Sequence, residues 1–281
     1  MSWPMVRKAV RDLRWTTFWY AFGMALFIFL MTSFYPTLER QQEQFVELLQ
    51  QYPEFLFRIF GIDPTQAALF ATFTGFMHAE TFGFIWPVTG LLFVVLSGTA
   101  VVAQEIERGT ADLWLSVPIP RVHLLVSKQV ALLSGILVFV LTSEVALAAG
   151  AFAFGGDITA RGLVQLAVAL TCFLIAFGGL ATLASALASE RSRAAGIVGG
   201  LALLMYLLWV LAGLAEEARW LRSFSLFTVY DPQAAMLGEL PWSNSDSAAR
   251  RSRRRSRRAN RLRSSRYCRM KGEPSTSSMV R

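Results

Sequence analysis

Residues 162–188 read Gly-Leu-Val-Gln-Leu-Ala-Val-Ala-Leu-Thr-Cys-Phe-Leu-Ile-Ala-Phe-Gly-Gly-Leu-Ala-Thr-Leu-Ala-Ser-Ala-Leu-Ala, without one charged side chain. A hydrocarbon core of about 30 Å is crossed by about 20 apolar helical residues, so this stretch is long enough to span a bilayer. Lipid offers the backbone no hydrogen-bond partner, which leaves a helix as the simplest spanning form. The same pattern recurs on either side. Residues 195–215 form one further span, and residues 129–153 another, interrupted by Glu144. Residues 82–103 and 15–35 complete five. Overall, 54% of the 281 residues are hydrophobic and 16% charged, where soluble domains carry nearer a quarter charged. The reading is an all-α polytopic membrane protein.

Charge sets the orientation. Residues 5–14 place Val6, Val10 and Leu13 at helical spacing with Arg7, Lys8, Arg11 and Arg14 between them. This is a short basic amphipathic helix that can lie on the membrane surface, and its charge puts the N-terminus in the cytoplasm. The first span is long and no small-residue cleavage site precedes it, so it reads as a retained anchor rather than a signal peptide. Trp15, Trp19, Tyr20 and Tyr35 mark its interfaces. Residues 36–81 carry six acidic residues against two arginines, which suits an outer loop with helical patches. Pro87 near the start of the second span reads as a tolerated membrane proline, with a kink as the other reading. Asp157 and Arg161 fall in a short outer loop, and Glu190, Arg191 and Arg193 in a cytoplasmic turn. Beyond the fifth span, Trp220, Phe224, Phe227 and Tyr230 point to an interfacial helix or a re-entrant stretch.

The net charge of +8 belongs to the tail. Residues 243–281 hold 13 Lys and Arg against 2 acidic residues, and the remainder is net −3. On this topology the arginine cluster at 250–266 would lie outside, against the positive-inside rule. It reads as a basic arm for nucleic acid or anionic lipid, as a solvated disordered tail, or as the product of a shifted reading frame. The last is favoured. Leu-Ala repeats in GC-rich codons become Ser-Arg repeats one base later, and sequencing the DNA through codon 242 tests this. No nucleic-acid partner is inferred. The division is thus 1–242 as the transmembrane domain and 243–281 as an Arg-rich disordered tail.

The polar segment 104–128 carries the chemistry: Gln-Glu-Ile-Glu-Arg-Gly-Thr-Ala-Asp-Leu-Trp-Leu-Ser-Val-Pro-Ile-Pro-Arg-Val-His-Leu-Leu-Val-Ser-Lys. Glu105, Glu107 and Arg108 lie at the membrane boundary. Gly109 can end the preceding helix or turn the chain sharply, and Thr110 can cap a new one whose first turn holds Asp112. Leu113, Trp114 and Leu115 give that helix an apolar side, Pro118 and Pro120 stop it, and Arg121 and Lys128 lead into the third span. On physics alone this is either a docking helix for a cytoplasmic partner or an ordinary loop.

The pattern Glu-x-Glu-x-Gly-Thr, an apolar turn, Pro-Ile, Arg121 and Lys128 resembles permeases of the ABC-2 type exporter family, over roughly residues 1–242. The resemblance implies that Glu105 and Glu107 are the acidic pair of the ATPase-coupling loop, and Gly109 and Thr110 its turn. Leu113 to Pro118 would be the coupling helix and Arg121 with Lys128 the basic return. It implies a sixth span, which this sequence lacks. It further implies an ATP-binding-cassette ATPase subunit holding ATP-Mg, a second permease subunit as homo- or heterodimer, and the inner membrane of a bacterium or archaeon. No cofactor is expected on the chain itself.

No Gly-x-x-x-x-Gly-Lys-Ser/Thr occurs, so no P-loop can be built, and any ATP must be hydrolysed elsewhere. Cys172 and Cys268 form no framework, and His78 and His123 lack paired ligands. Glu144 sits midway along an apolar span, where a carboxylate costs about 2.5–3.5 kcal/mol. It reads as a substrate or proton site, or as a protonated or hydrogen-bonded packing residue. Gly196 and Gly200 offer a small-x-x-x-small pair for helix packing. A gradient-driven carrier is the alternative, though no internal repeat is visible. A membrane-embedded enzyme would need converging polar groups that the spans do not supply.

Overall fold

The computed structural model describes residues 3–40, 72–103, 107, 109, 121–188, 190–214, 220–221 and 223–238. Helix α1 runs from Trp3 to Arg40. Surface helix and first span are therefore one rod rather than two elements. No Gly or Pro interrupts residues 5–22, so nothing breaks the i→i−4 ladder where the charge pattern changes. At 1.5 Å per residue its 38 residues measure about 57 Å, well beyond the hydrocarbon thickness. Its basic first turns carry Arg7, Lys8, Arg11 and Arg14, all exposed.

The second apolar stretch is a bent pair of helices. Helix α2 (Phe73–Met77) passes into a π-helical turn (His78–Phe82) and then, at a 41° bend, into α3 (Ile85–Thr99). Helical structure therefore begins about ten residues before the expected span at 82–103, inside the stretch read as a loop with helical patches. The bend lies at Gly83–Phe84, not at Pro87. Pro87 sits in the first turn of α3, where its missing N–H costs little.

Helices α4 (Arg121–Phe154), α5 (Ala160–Leu187) and α6 (Arg191–Leu214) follow as continuous spans. Gly155, at φ +76°, turns the chain after α4, and Thr159 caps α5 by accepting from Gly162 N–H at 3.0 Å. The chain is a multi-pass all-α membrane protein; among the described residues four helices are long and apolar enough to span, and one further pair is bent.

Two close helix pairs set the bundle. Gly135 of α4 faces Leu13 and Thr17 of α1, and Gly150 faces Thr32, so α1 and α4 run parallel along their length. Gly90 of α3 faces Leu174 of α5, and Gly98 faces Ala181, so these two also run parallel. Gly196 and Gly200, by contrast, have nothing within 4 Å of where a Cβ would stand, and pack no helix among the described residues.

Trp86, Phe93 and Phe139 fill the centre, with Phe93 and Phe139 stacked at 5.6 Å. Beyond α6 the chain folds back as a 3-10 turn (Leu226–Thr228) and a short helix α7 (Pro232–Met236) that packs on α5. Phe227 and Tyr230 are buried there against Phe173, while Trp220 and Phe224 remain exposed. Of the four aromatics read as an interfacial helix or a re-entrant stretch, the second pair thus packs into the bundle.

Candidate functional site

The last turn of a helix leaves carbonyls without intrahelical partners. At the end of α3, where the polar segment departs, three other helices supply the donors. Ser185 of α5 donates its hydroxyl to Thr99 O at 2.7 Å, and Ser185 Oγ accepts from Val102 N–H at 3.0 Å and Ala103 N–H at 2.9 Å. Lys128 of α4 donates to Val101 O at 2.7 Å. Arg191 of α6 donates to Leu96 O at 2.9 Å. A fourth contact comes from the segment itself. Glu107 accepts from the backbone N–H of Arg191 at 3.3 Å, placing a carboxylate at the positive end of α6.

The exit of α3 is therefore tied to α4, α5 and α6 at once. The bonds from Lys128 and Arg191 have charged donors and are the stronger kind. Glu190 and Arg193 add an exposed ion pair at 3.1 Å, which contributes little.

Of the residues read from the sequence, Glu107 and Lys128 are bonded at this junction. Gly109 is exposed with φ +67°, the left-handed conformation expected of a helix-ending glycine. Glu105, Arg108, Thr110, Asp112, Leu113, Leu115 and Pro118, and with them the expected coupling helix, lie outside the described residues. For Arg121 the helical backbone alone is described. The tail 243–281 also lies outside them.

Glu144 is not brought to the junction. It lies sixteen residues beyond Lys128, about 24 Å along α4. It is buried, and neither carboxylate oxygen has a hydrogen-bond partner among the described residues. Its neighbour Ser143 accepts from Trp86 Nε1 at 3.1 Å and donates to Phe139 O at 2.9 Å.

Sequence reasoning missed Ser185 and gave Arg191 only a part in a basic turn. A hydroxyl near the end of an apolar span, on the side where the polar segment leaves, was the one available signal for Ser185.

Beside the junction, at the end of the bundle that carries the N-terminus, lies a cavity of about 610 Å³ walled by α1, α3, α4 and the start of α6. Asp12, Lys128 and Arg191 all face it.

A family model described as "ABC-2 family transporter protein" matches residues 3–248. No curated protein and no solved structure matches the chain.

Proposed function

The chain belongs to the ABC-2 family of transporter proteins, and from that premise we propose that it is the permease subunit of an ATP-driven exporter. A separate ATP-binding-cassette subunit hydrolyses ATP-Mg, and a second permease completes the transport path. The end of the bundle bearing the N-terminus faces the cytoplasm, as its exposed basic turns favour. The segment 104–120 docks on the ATPase.

The observation that carries this reading is the junction at the end of α3. A coupling element must pass motion into the spans, and its root here is bonded to three of them through Ser185, Lys128 and Arg191. Glu107 extends the connection to the first turn of α6. When the ATPase dimer closes, the segment moves with it. The ties then shift α4, α5 and α6 together and alternate access to a central path. Glu144 is a polar group on that path.

Glu107→Lys replaces a carboxylate at a helix N-terminus with a cation, which the helix dipole opposes. With the ATPase co-expressed, the variant is expected to hydrolyse ATP while ATP-dependent uptake into inverted vesicles falls at least tenfold. Uptake equal to wild type would remove Glu107 from the coupling route. Failure of the chain to co-purify with any P-loop ATPase would overturn the exporter reading itself.

A further inference from the structure

Glu144 is the only Asp, Glu, Lys or Arg in the apolar stretches 15–38 of α1, 85–99 of α3, 129–154 of α4, 162–187 of α5 and 194–214 of α6. It lies ten residues before Phe154, the last residue of α4. That is about 15 Å along the axis, half the depth of a hydrocarbon core of about 30 Å. The residue is 8% exposed, and neither carboxylate oxygen has a hydrogen-bond partner among the described residues. Neither protonation form is therefore satisfied by them. The acid brings an O–H donor without an acceptor, and the carboxylate brings a charge without a cation. A second copy of this chain adds the same apolar stretches, and so no Lys or Arg within them.

Its place on α4 narrows what can complete the site. Gly135, which faces Leu13 and Thr17 of α1, is nine residues away. Nine residues are about two and a half turns, so Glu144 lies on the opposite side of the helix from that contact. It belongs to a buried stripe with Ile136, Val140, Leu147 and Ala151, and Ile136 meets α5 at Gly178. On the other flank Leu137, Leu141 and Val145 are exposed. The acid thus sits at the margin of the bundle, one strip in from an exposed apolar face, and not at the centre that Trp86, Phe93 and Phe139 fill. A ligand that satisfies it needs one positive charge for the one carboxylate, and an apolar body for the aliphatic stripe on either side.

We propose that Glu144 binds the charged centre of a lipophilic monovalent cation, with Val140 and Leu147 against its apolar body, and that on the exporter reading above this cation is the cargo. In the conformation described here the carboxyl is closed off within the bundle. The stripe runs beside α5, and both α4 and α5 are tied to the root of the coupling segment. A shift of these two helices driven by that segment uncovers the acid.

The test compares two ions of one shape and opposite charge, tetraphenylphosphonium and tetraphenylborate, binding to the full chain in phosphatidylcholine nanodiscs with empty nanodiscs subtracted. The ratio of affinities, cation over anion, is expected to fall at least tenfold in Glu144→Gln and in Glu144→Leu, and to be restored in part in Glu144→Asp. Glu144→Leu removes both unpartnered oxygens, so it is expected to melt at or above the wild-type temperature. Its loss of the cation is then not a loss of fold.

A ratio unchanged by Glu144→Gln would overturn the proposal, as would a wild type that binds neither ion. So would a fall in melting temperature in both variants alongside the fall in ratio, since the carboxyl would then be holding the fold. Binding is read on the permease alone. A cation preference that depends on Glu144, in a chain that drives no ATP-dependent uptake with any ATPase, counts against the exporter reading and leaves the binding site standing. ATP-driven uptake of tetraphenylphosphonium that Glu144→Gln leaves unchanged counts against this inference and not against the exporter.

Discussion

The Ser185 hydroxyl has one donor and two acceptor positions, and all three are used: by Thr99 O, Val102 N–H and Ala103 N–H. Ser185→Ala strips partners from a carbonyl and two N–H groups at a buried helix end. Leaving such groups unmade costs about 1–3 kcal/mol. Ser185→Ala is therefore expected to lower thermal stability in detergent by that amount, and to weaken coupling more than a lipid-facing change such as Leu183→Ala. Identical melting of Ser185→Ala and wild type would show that water replaces the hydroxyl at no loss. The sequence made Glu107, Gly109 and Lys128 visible because charge and glycine stand out at the edge of an apolar run. Ser185 did not stand out, because one hydroxyl among alanines and leucines is common in spans and its partners lie more than eighty residues away. Arg191 was visible as charge, but its bond to Leu96 O exists only once α6 packs on α3.

At the scale of an element, the bent second span sets the harder problem, because a break in a membrane helix must have its freed backbone groups satisfied by other protein. Gly83 N–H reaches back to His78 O at 2.6 Å, closing the π turn. The phenol of Tyr230 then donates to Phe82 O at 2.7 Å. Its ring stacks on Trp86 at 6.4 Å and lies 4.6 Å from Phe173. The returning chain beyond α6 thus supports a break almost 150 residues upstream. Tyr230→Phe keeps the rings and removes only the hydroxyl, so it isolates this bond. It is expected to destabilise the fold by about 1–3 kcal/mol, the cost of an orphaned buried carbonyl. Faster hydrogen exchange is expected in 78–86, with α1 and α4 unchanged; exchange rising uniformly, or not at all, would separate Tyr230 from the break. The apolar leg Ile85–Thr99 was legible in the sequence. The other leg was not, because His78, Glu80 and two threonines lower its hydropathy to that of a loop. Tertiary contact with Tyr230 ties this leg to the returning chain.

At the scale of the whole molecule, the order and alternation of spans follow from apolar length and the placement of Arg and Lys. Which helices touch does not. Without a hydrophobic drive between helices in lipid, close packing decides, and small residues permit it. The sequence drew attention to Gly196 and Gly200, whose spacing fits the familiar motif, yet neither meets another helix among the described residues. The glycines that matter are Gly135 and Gly150, fifteen residues apart, where α1 crosses α4. A Cβ on Gly150 would overlap the Thr32 side chain, whose hydroxyl is held on Phe29 O at 2.7 Å and cannot swing away without losing that bond. Gly150→Ala must then part α1 from α4 along a contact that defines the bundle. Overpacking of this kind costs about 1–3 kcal/mol, and the yield of monodisperse protein is expected to fall with it. Thr32→Gly removes both the hydroxyl and the Cβ that collide. The double variant Gly150→Ala, Thr32→Gly is therefore expected to recover stability relative to Gly150→Ala, although Thr32→Gly alone weakens α1 by the ordinary cost of a helix glycine, about 1 kcal/mol. The sign of that coupling is the test. Two additive losses would mean that Gly150 and Thr32 do not face each other, and the parallel pairing of α1 and α4 would go with them.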